Sequence, residues 1–112
     1  MGSEALALCD CGLRATSLIG GGFSNFHETC LFPALCRGCH QVVEVNLLQP
    51  PLSCPECGGR EVTPYTDPSL AKGDGKDEMI TWGEHNLTSG HYQCPACGEF
   101  TLRFMPSGLL WD

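Results

Sequence analysis

The sequence has no long apolar run. A membrane-spanning helix needs about 18 apolar residues, and no stretch of the 112-residue chain approaches that length. The opening residues, Met-Gly-Ser-Glu-Ala-Leu-Ala-Leu, also lack the basic start and the extended apolar segment of a secretory signal peptide. We therefore expect a soluble, cytoplasmic protein with no membrane partner.

Basic residues are few as well. Six Lys and Arg stand against thirteen Asp and Glu, so the formal net charge is −7. Proteins that bind nucleic acid neutralise its phosphates with clustered Lys and Arg, whereas here the basic residues are scattered along the chain. This charge pattern argues against nucleic acid as a partner and leaves a protein as a possible one.

The sequence also lacks a recognisable catalytic set of nucleophile, base and oxyanion donors. A thioredoxin-type redox site would need a C-x-x-C pair at the start of a helix within a βαβ unit, and no cysteine pair of this chain has that setting. We therefore do not expect an enzyme.

Cysteine, glycine and proline are abundant, with nine, fourteen and eight residues. A chain this short builds only a thin core and needs additional ties. In a reducing cytosol, cysteines at C-x-x-C spacing indicate a bound metal rather than disulfides. Frequent Gly and Pro favour short strands and tight turns over helices. The composition predicts a small β-rich, metal-stabilised fold with little helix.

The clearest motif is Cys36-Arg-Gly-Cys39, followed after fourteen residues by Cys54-Pro-Glu-Cys57. This spacing is typical of a zinc ribbon, because each pair lies on a tight turn that points both thiolates inward and a β-hairpin brings the turns around one tetrahedral ion. Four thiolates leave no position for water, so we predict a structural site rather than a catalytic one.

A second motif, Cys94-Pro-Ala-Cys97-Gly, repeats the pattern Cys54-Pro-Glu-Cys57-Gly and predicts a second metal-binding half. One pair fills only two of the four positions of a tetrahedral ion, so two further ligands are needed. We favour Cys9 and Cys11, which are followed by their own glycine although C-x-C is one residue shorter than C-x-x-C. Cys30 is then the cysteine left over.

Alternatives remain open for this second site. His27 and His91 each precede a cysteine by three residues, so a mixed Cys/His site can be considered, and Cys30 can replace Cys9. If only Cys11, Cys94 and Cys97 bound the ion, a water could complete the site, with His91 or Glu99 as a base.

We expect residues 1–112 to form a single compact unit. In this hypothesis residues 30–66 hold the central ribbon, residues 1–22 and 79–112 form the second site together, and the charged segment 67–78 is a solvated linker. Strands are predicted at 16–19, 41–48, 61–65, 79–82, 91–93 and 100–104, with a turn at 83–90. Pro64 predicts that its strand lies at a sheet edge.

The chain resembles the zinc-ribbon (rubredoxin-like) superfamily, and it is similar to a group of small bacterial proteins, mostly uncharacterised, with two zinc-ribbon-like sites of four cysteines each. The resemblance runs through the cysteine pairs, through Gly20-Gly-Gly-Phe23 and through the ending Gly108-Leu-Leu-Trp-Asp112. Such relatives usually carry C-x-x-C-G where this chain has Cys9-Asp-Cys11. The resemblance implies metal binding and fold but no activity.

The expected function is therefore the structural binding of two Zn²⁺ in an adaptor or protein-interaction module. A rubredoxin-like iron electron carrier is the main alternative, because four thiolates suit iron as well as zinc, and a nucleic-acid-binding zinc ribbon is a weaker one. We expect Phe23, Phe26, Phe32 and Phe104 in the core rather than at a partner surface, because so small a chain has few other large residues to bury.

Overall fold

The computed structural model describes residues 2–21, 27–83 and 85–111, with side chains up to residue 108. These ranges contain one 3₁₀ turn (Pro68–Leu70) and no α-helix, and no helix in them could span a membrane. The prediction of a small β-rich fold with little helix is confirmed. The strands in chain order are β1 (Gly2–Cys9), β2 (Arg14–Ile19), β3 (Leu31–Cys36), β4 (Gln41–Asn46), β5 (Val62–Pro64), β6 (Glu78–Trp82), β7 (His85–Thr88) and β8 (Leu102–Trp111).

Two of the sheets follow one plan. Their strand orders are β2-β1-β8 and β4-β3-β5, and every neighbouring pair is antiparallel. In each sheet a hairpin supplies two strands, and the third strand follows a C-P-x-C motif and pairs with the first strand of the hairpin. The register matches too, since Cys9 faces Leu102 in one sheet and Cys36 faces Val62 in the other. The chain thus contains the same three-stranded unit twice.

The two units are joined between β2 and β3. Gly20 and Leu31 exchange two backbone hydrogen bonds of 2.8 Å each, and Glu44 Oε2 accepts a hydrogen bond of 2.7 Å from the backbone of Leu18. Gly20 has a φ of +84°, and a Cβ there would overlap the ring of Trp82. The strand therefore ends at a position where only glycine fits.

Side-chain alternation explains several of the predicted strands. Val43 and Val45 of β4 are buried, as are Leu102 and Phe104 of β8, with exposed or half-buried residues between them. Strands are thus present within the predicted segments 41–48 and 100–104, although β8 continues to Trp111. Pro64 lies in β5, which is an edge strand, as predicted.

The predicted strand at 91–93 is wrong. The partner of β6 is β7, which lies inside the segment predicted as a turn. Leu87 of β7 faces Ile80 and is fully buried, so burial favours this pairing. Residues 91–93 form hydrogen bonds with two separate segments instead, with Leu70 and Lys72 on one side and with Leu102 on the other.

The segment 67–78, predicted to be a solvated linker, contacts the rest of the fold at several points, including hydrogen bonds of Lys72 and Asp74 with His91. The Asp67 side chain accepts a hydrogen bond of 2.9 Å from the backbone of Ser69 and caps the 3₁₀ turn. This turn places Leu70 in the core, where it is fully buried. The division of the chain into a central ribbon and a terminal unit stays a prediction.

The core is centred on three aromatic rings from different segments. Tyr65, Tyr92 and Phe104 meet edge to face, with ring centroids 4.9 to 5.7 Å apart. Phe32 and Phe104 are buried, as predicted, whereas Phe23 and Phe26 lie outside the described residues. The Tyr65 hydroxyl donates a hydrogen bond of 2.8 Å to the carbonyl oxygen of Gln93, which immediately precedes the second C-P-x-C motif.

Candidate metal centres

The central site consists of Cys36, Cys39, Cys54 and Cys57. Cys36 ends β3, Cys39 lies in the turn to β4, and the other two lie in the turn that leads to β5. The Sγ atoms of Cys36 and Cys57 are 3.7 Å apart, as are those of Cys39 and Cys54. All four sulfurs lie within 4.8 Å of one another. The structure thus brings together the four cysteines predicted for this site.

The terminal site consists of Cys9, Cys11, Cys94 and Cys97. Cys9 ends β1, Cys11 lies in the turn to β2, and the other two lie in the turn that leads to β8. The Sγ atoms of Cys9 and Cys97 are 3.8 Å apart, and those of Cys11 and Cys94 are 3.7 Å apart. These four sulfurs also lie within 4.8 Å of one another. The two ends of the chain therefore meet here, in the combination favoured from the sequence.

The separations of the facing sulfurs, 3.7–3.8 Å, have the size that a tetrahedral metal ion requires. Metal–sulfur bonds of about 2.3 Å at tetrahedral angles place the sulfurs about 3.8 Å apart. A disulfide would instead bring two sulfurs to about 2.05 Å, and all nine cysteines are unpaired. Both groups could hold a metal ion, and a set of four thiolates suits zinc and iron alike.

The residue after the last cysteine of each turn has a positive φ. The values are 102° at Gly12, 56° at His40, 73° at Gly58 and 76° at Gly98. This conformation costs an L-residue about 1–2 kcal/mol, and glycine adopts it freely. His40 is the exception, and its Nδ1 lies 3.3 Å from the carbonyl oxygen of Pro95 in the terminal site. The strained residue of the central site thus contacts the other site.

Hydrogen-bond donors face the sulfurs in both sites. The backbone N–H groups of Glu56 and Cys57 each lie 3.4 Å from Cys54 Sγ. In the terminal site, the hydroxyl oxygen of Thr101 lies 3.1 Å from Cys9 Sγ. Such donors stabilise the thiolate, which is the form of cysteine that binds metals.

The pKa values of the thiols differ strongly within each site. Burial raises the pKa of Cys9, but a backbone hydrogen bond and the Thr101 hydroxyl outweigh it and lower this pKa to about 7. Burial and the neighbouring thiols raise the pKa of Cys94 to about 12. In the central site the pKa is about 7 at Cys36 and about 12 at Cys39. Four thiolates therefore need a cation between them near neutral pH, and metal binding would release protons.

The alternative ligands lie outside both groups of sulfurs. Cys30 is buried, which raises the pKa of its thiol, and its backbone N–H donates a hydrogen bond of 3.0 Å to Asn46 Oδ1. His27 and His91 also belong to neither group within the described ranges. His91 Nδ1 lies 2.7 Å from a carboxylate oxygen of Asp74. The structure thus assembles the eight cysteines of the favoured prediction and none of the alternatives.

Two residues near the sulfurs were not predicted to matter. The left-handed backbone of His40 could have been inferred from the sequence, because glycine follows the last cysteine of the other three turns. The sequence signal for Thr101 is weaker. It appears only when the two halves of the chain are aligned, because Thr101 then occupies the position that Glu61 has in the other half.

Comparisons of the chain with protein-family models, with curated proteins and with solved structures gave no match. The geometry of the two sites and the residues around them are therefore the basis of the functional proposal.

Proposed function

We propose that this protein is a structural zinc protein that holds two Zn²⁺, one in the central site and one in the terminal site. The observation that carries the proposal is the closed donor set, in which four protein sulfurs lie within 4.8 Å of one another, with facing pairs 3.7–3.8 Å apart, and would fill every position around a tetrahedral ion. A catalytic zinc keeps one position for water or substrate, and four sulfurs leave none. The proposal therefore includes no catalytic step.

Each ion would tie a hairpin to the strand that pairs with it. The terminal site joins the turn after β1 to the turn before β8, and the central site does the same for β3 and β5. Structural zinc sites in small peptides contribute about 10–16 kcal/mol, which is comparable to the whole stability of a typical domain, about 5–15 kcal/mol. Removing the metal should therefore unfold most of the chain.

Elemental analysis of protein purified without added metal tests the proposal. We expect close to two zinc ions per chain in the wild type. Cys97→Ser and Cys57→Ser are a matched pair, because each removes the exposed last cysteine of one C-P-x-C motif, and each should lower the content to about one ion. Cys30→Ser is the control and should keep both ions. Iron in the wild-type sites would favour the electron carrier, and one ion or none would contradict the proposal.

We further propose that the folded, metal-loaded protein acts as a cytoplasmic adaptor for a protein partner. A negative net charge of −7 supports a protein rather than a nucleic acid, and nine unpaired cysteines suit a reducing compartment. Affinity capture can compare zinc-loaded wild type with the Cys57→Ser variant. A partner retained only by the loaded wild type would support this role, whereas equal capture by both, or salt-sensitive capture of RNA, would contradict it.

A further inference from the structure

The two metal-binding halves share a register, so their residues can be compared position by position. Val62 faces the first cysteine of the central hairpin, and Leu102 faces the first cysteine of the terminal hairpin. The residues immediately before them, Glu61 and Thr101, therefore occupy equivalent positions. The halves differ at this position and at the length of the first cysteine turn.

The first turn of the terminal site is one residue shorter than the other turns. The backbone N–H of Cys9 donates to the carbonyl oxygen of Leu13, four residues on, at 3.1 Å. In the C-x-x-C turn of the same site, Cys94 donates to Glu99, five residues on, at 2.8 Å. The shorter C-x-C turn thus closes with one fewer peptide group.

The missing peptide group changes what the turn can offer to its first sulfur. In a full turn, Cys54 Sγ faces two backbone N–H groups, those of Glu56 and Cys57, each at 3.4 Å. In the short turn, Cys9 is hydrogen-bonded by the backbone of Cys11, and the next N–H group, that of Gly12, donates to the carbonyl oxygen of Cys9 at 3.0 Å rather than to the sulfur. Among the first cysteines of the turns, Cys9 would therefore receive one backbone hydrogen bond fewer than Cys54 does.

We propose that the Thr101 hydroxyl supplies the hydrogen bond that the shortened turn cannot give to Cys9, and that Thr101 is thus a positioning residue of the terminal site. Its Oγ1 lies 3.1 Å from Cys9 Sγ, closer than to Cys97 Sγ at 3.8 Å. The equivalent Glu61 carries a carboxylate, which has no proton to donate, and the central site has full turns and lacks no donor. The inference rests on the proposed function, since it assigns a role toward a metal bound at the terminal site.

The hydrogen bond acts on the ligand rather than on the metal. A hydroxyl that donates to a thiolate stabilises its charge and holds the sulfur in the direction of the ion. Loss of such an outer partner typically lowers metal affinity 10- to 100-fold. The effect should be confined to the terminal site, because Thr101 contacts sulfurs of that site alone.

The first test compares the zinc affinities of Thr101→Val and Thr101→Ser by competition with a zinc chelator. The Cys97→Ser and Cys57→Ser variants, which each lack one ligand of one site, show which step of zinc release belongs to which site. Thr101→Val keeps the shape of the side chain and removes the donor, so terminal-site affinity should fall about 10- to 100-fold. Thr101→Ser should retain most of the affinity. Thr63→Val is the matched control, because its hydroxyl accepts a hydrogen bond of 2.9 Å from Arg37 Nη1 instead of donating to a terminal-site sulfur. It should leave the affinity of the terminal site unchanged.

A second test separates the missing donor from a general packing role. Inserting one glycine between Asp10 and Cys11 restores a C-x-x-C turn and its second N–H group. In that background Thr101→Val should cost much less affinity than in the natural turn. An equal loss in both backgrounds, or no loss in the natural turn while the wild-type terminal site binds zinc, would overturn the inference. A wild-type terminal site that binds no metal would instead overturn the proposed function.

Discussion

Substitution of Gly98 by alanine should weaken the terminal site through the backbone alone. Gly98 has a φ of +76°, and a Cβ at this position would meet no atom within 4 Å. The substitution therefore creates no clash, and its cost is the conformational one of about 1–2 kcal/mol for an L-residue in the left-handed region. In the proposed zinc protein, metal binding and formation of this turn are coupled, so the cost should appear as a loss of metal affinity.

A cost of 1–2 kcal/mol corresponds to a decrease in affinity of about 5- to 30-fold. Zinc release to a competing chelator should therefore shift by this factor at the terminal site in Gly98→Ala and remain unchanged at the central site. Gly58→Ala is the mirror experiment, since Gly58 has a φ of +73° and equally open space around its Cβ position. It should weaken the central site only.

His40→Gly tests the same reasoning in the opposite direction. It removes about 1–2 kcal/mol of backbone strain, but it also removes the contact with Pro95, and glycine loses about 0.5–1 kcal/mol more entropy on folding. The opposing effects leave an expected change in central-site affinity of a few-fold at most. Unchanged affinity in both alanine variants, or an equal loss at both sites in either one, would refute the strain argument.

Two further predictions concern the contacts that connect the sites to the core. Tyr65→Phe leaves the carbonyl oxygen of Gln93 without the hydroxyl that donates to it, so the free energy of unfolding of the zinc-loaded protein should fall by about 1–3 kcal/mol in denaturant titrations; an unchanged midpoint would contradict this. Asp74 accepts hydrogen bonds from the side chain and the backbone of His91, which lower the pKa of its carboxyl to about 2. Because the pKa is lower in the folded state, the ionised Asp74 carboxylate stabilises the fold above the pKa of the unfolded chain, and this stabilisation is lost as the pH falls through about 2. At pH 5 the carboxylate is ionised, so hydrogen exchange at the His91 amide should be slow in the wild type and fast in Asp74→Ala.

The sequence predicted the central group of cysteines directly because the spacing of its ligands is a local property, whereas the pairing of Cys9 and Cys11 with Cys94 and Cys97 was only the favoured one of several possibilities. A C-x-x-C pair followed by glycine specifies its turn within five residues, and the β-branched segment around Val43 and Val45 specifies the strand between the central turns. Strand β7 was not predicted because three of its four residues are polar and only one, Leu87, is buried, so it has no alternating apolar pattern. The hydrogen bonds of residues 91–93 could not be predicted, since their partners come from distant segments.

The role proposed for Thr101 shows a further limit of local patterns. A threonine four residues after Cys97 carries no metal-binding signal of its own. Its possible role becomes visible only in the fold, because the pairing of β1 with β8 places the short turn of Cys9 next to Thr101. The internal repeat is therefore the most informative feature of this chain, because differences between its halves identify residues that act at one site alone.

A comparison of the two sites also predicts the order in which they bind zinc. The facing ligands Cys39 and Cys54 are 15 residues apart, whereas Cys11 and Cys94 are 83 residues apart. Since the entropy of loop closure grows with the logarithm of loop length, the longer loop costs about 1.5 kcal/mol more, or about tenfold in affinity. The central site should therefore bind zinc first, and its formation shortens the loop that the terminal site must close. Titration of the metal-free protein with zinc, followed by rapid alkylation and mass spectrometry, should show the central cysteines protected before the terminal ones; the reverse order would mean that ligand positioning at the terminal site outweighs chain entropy.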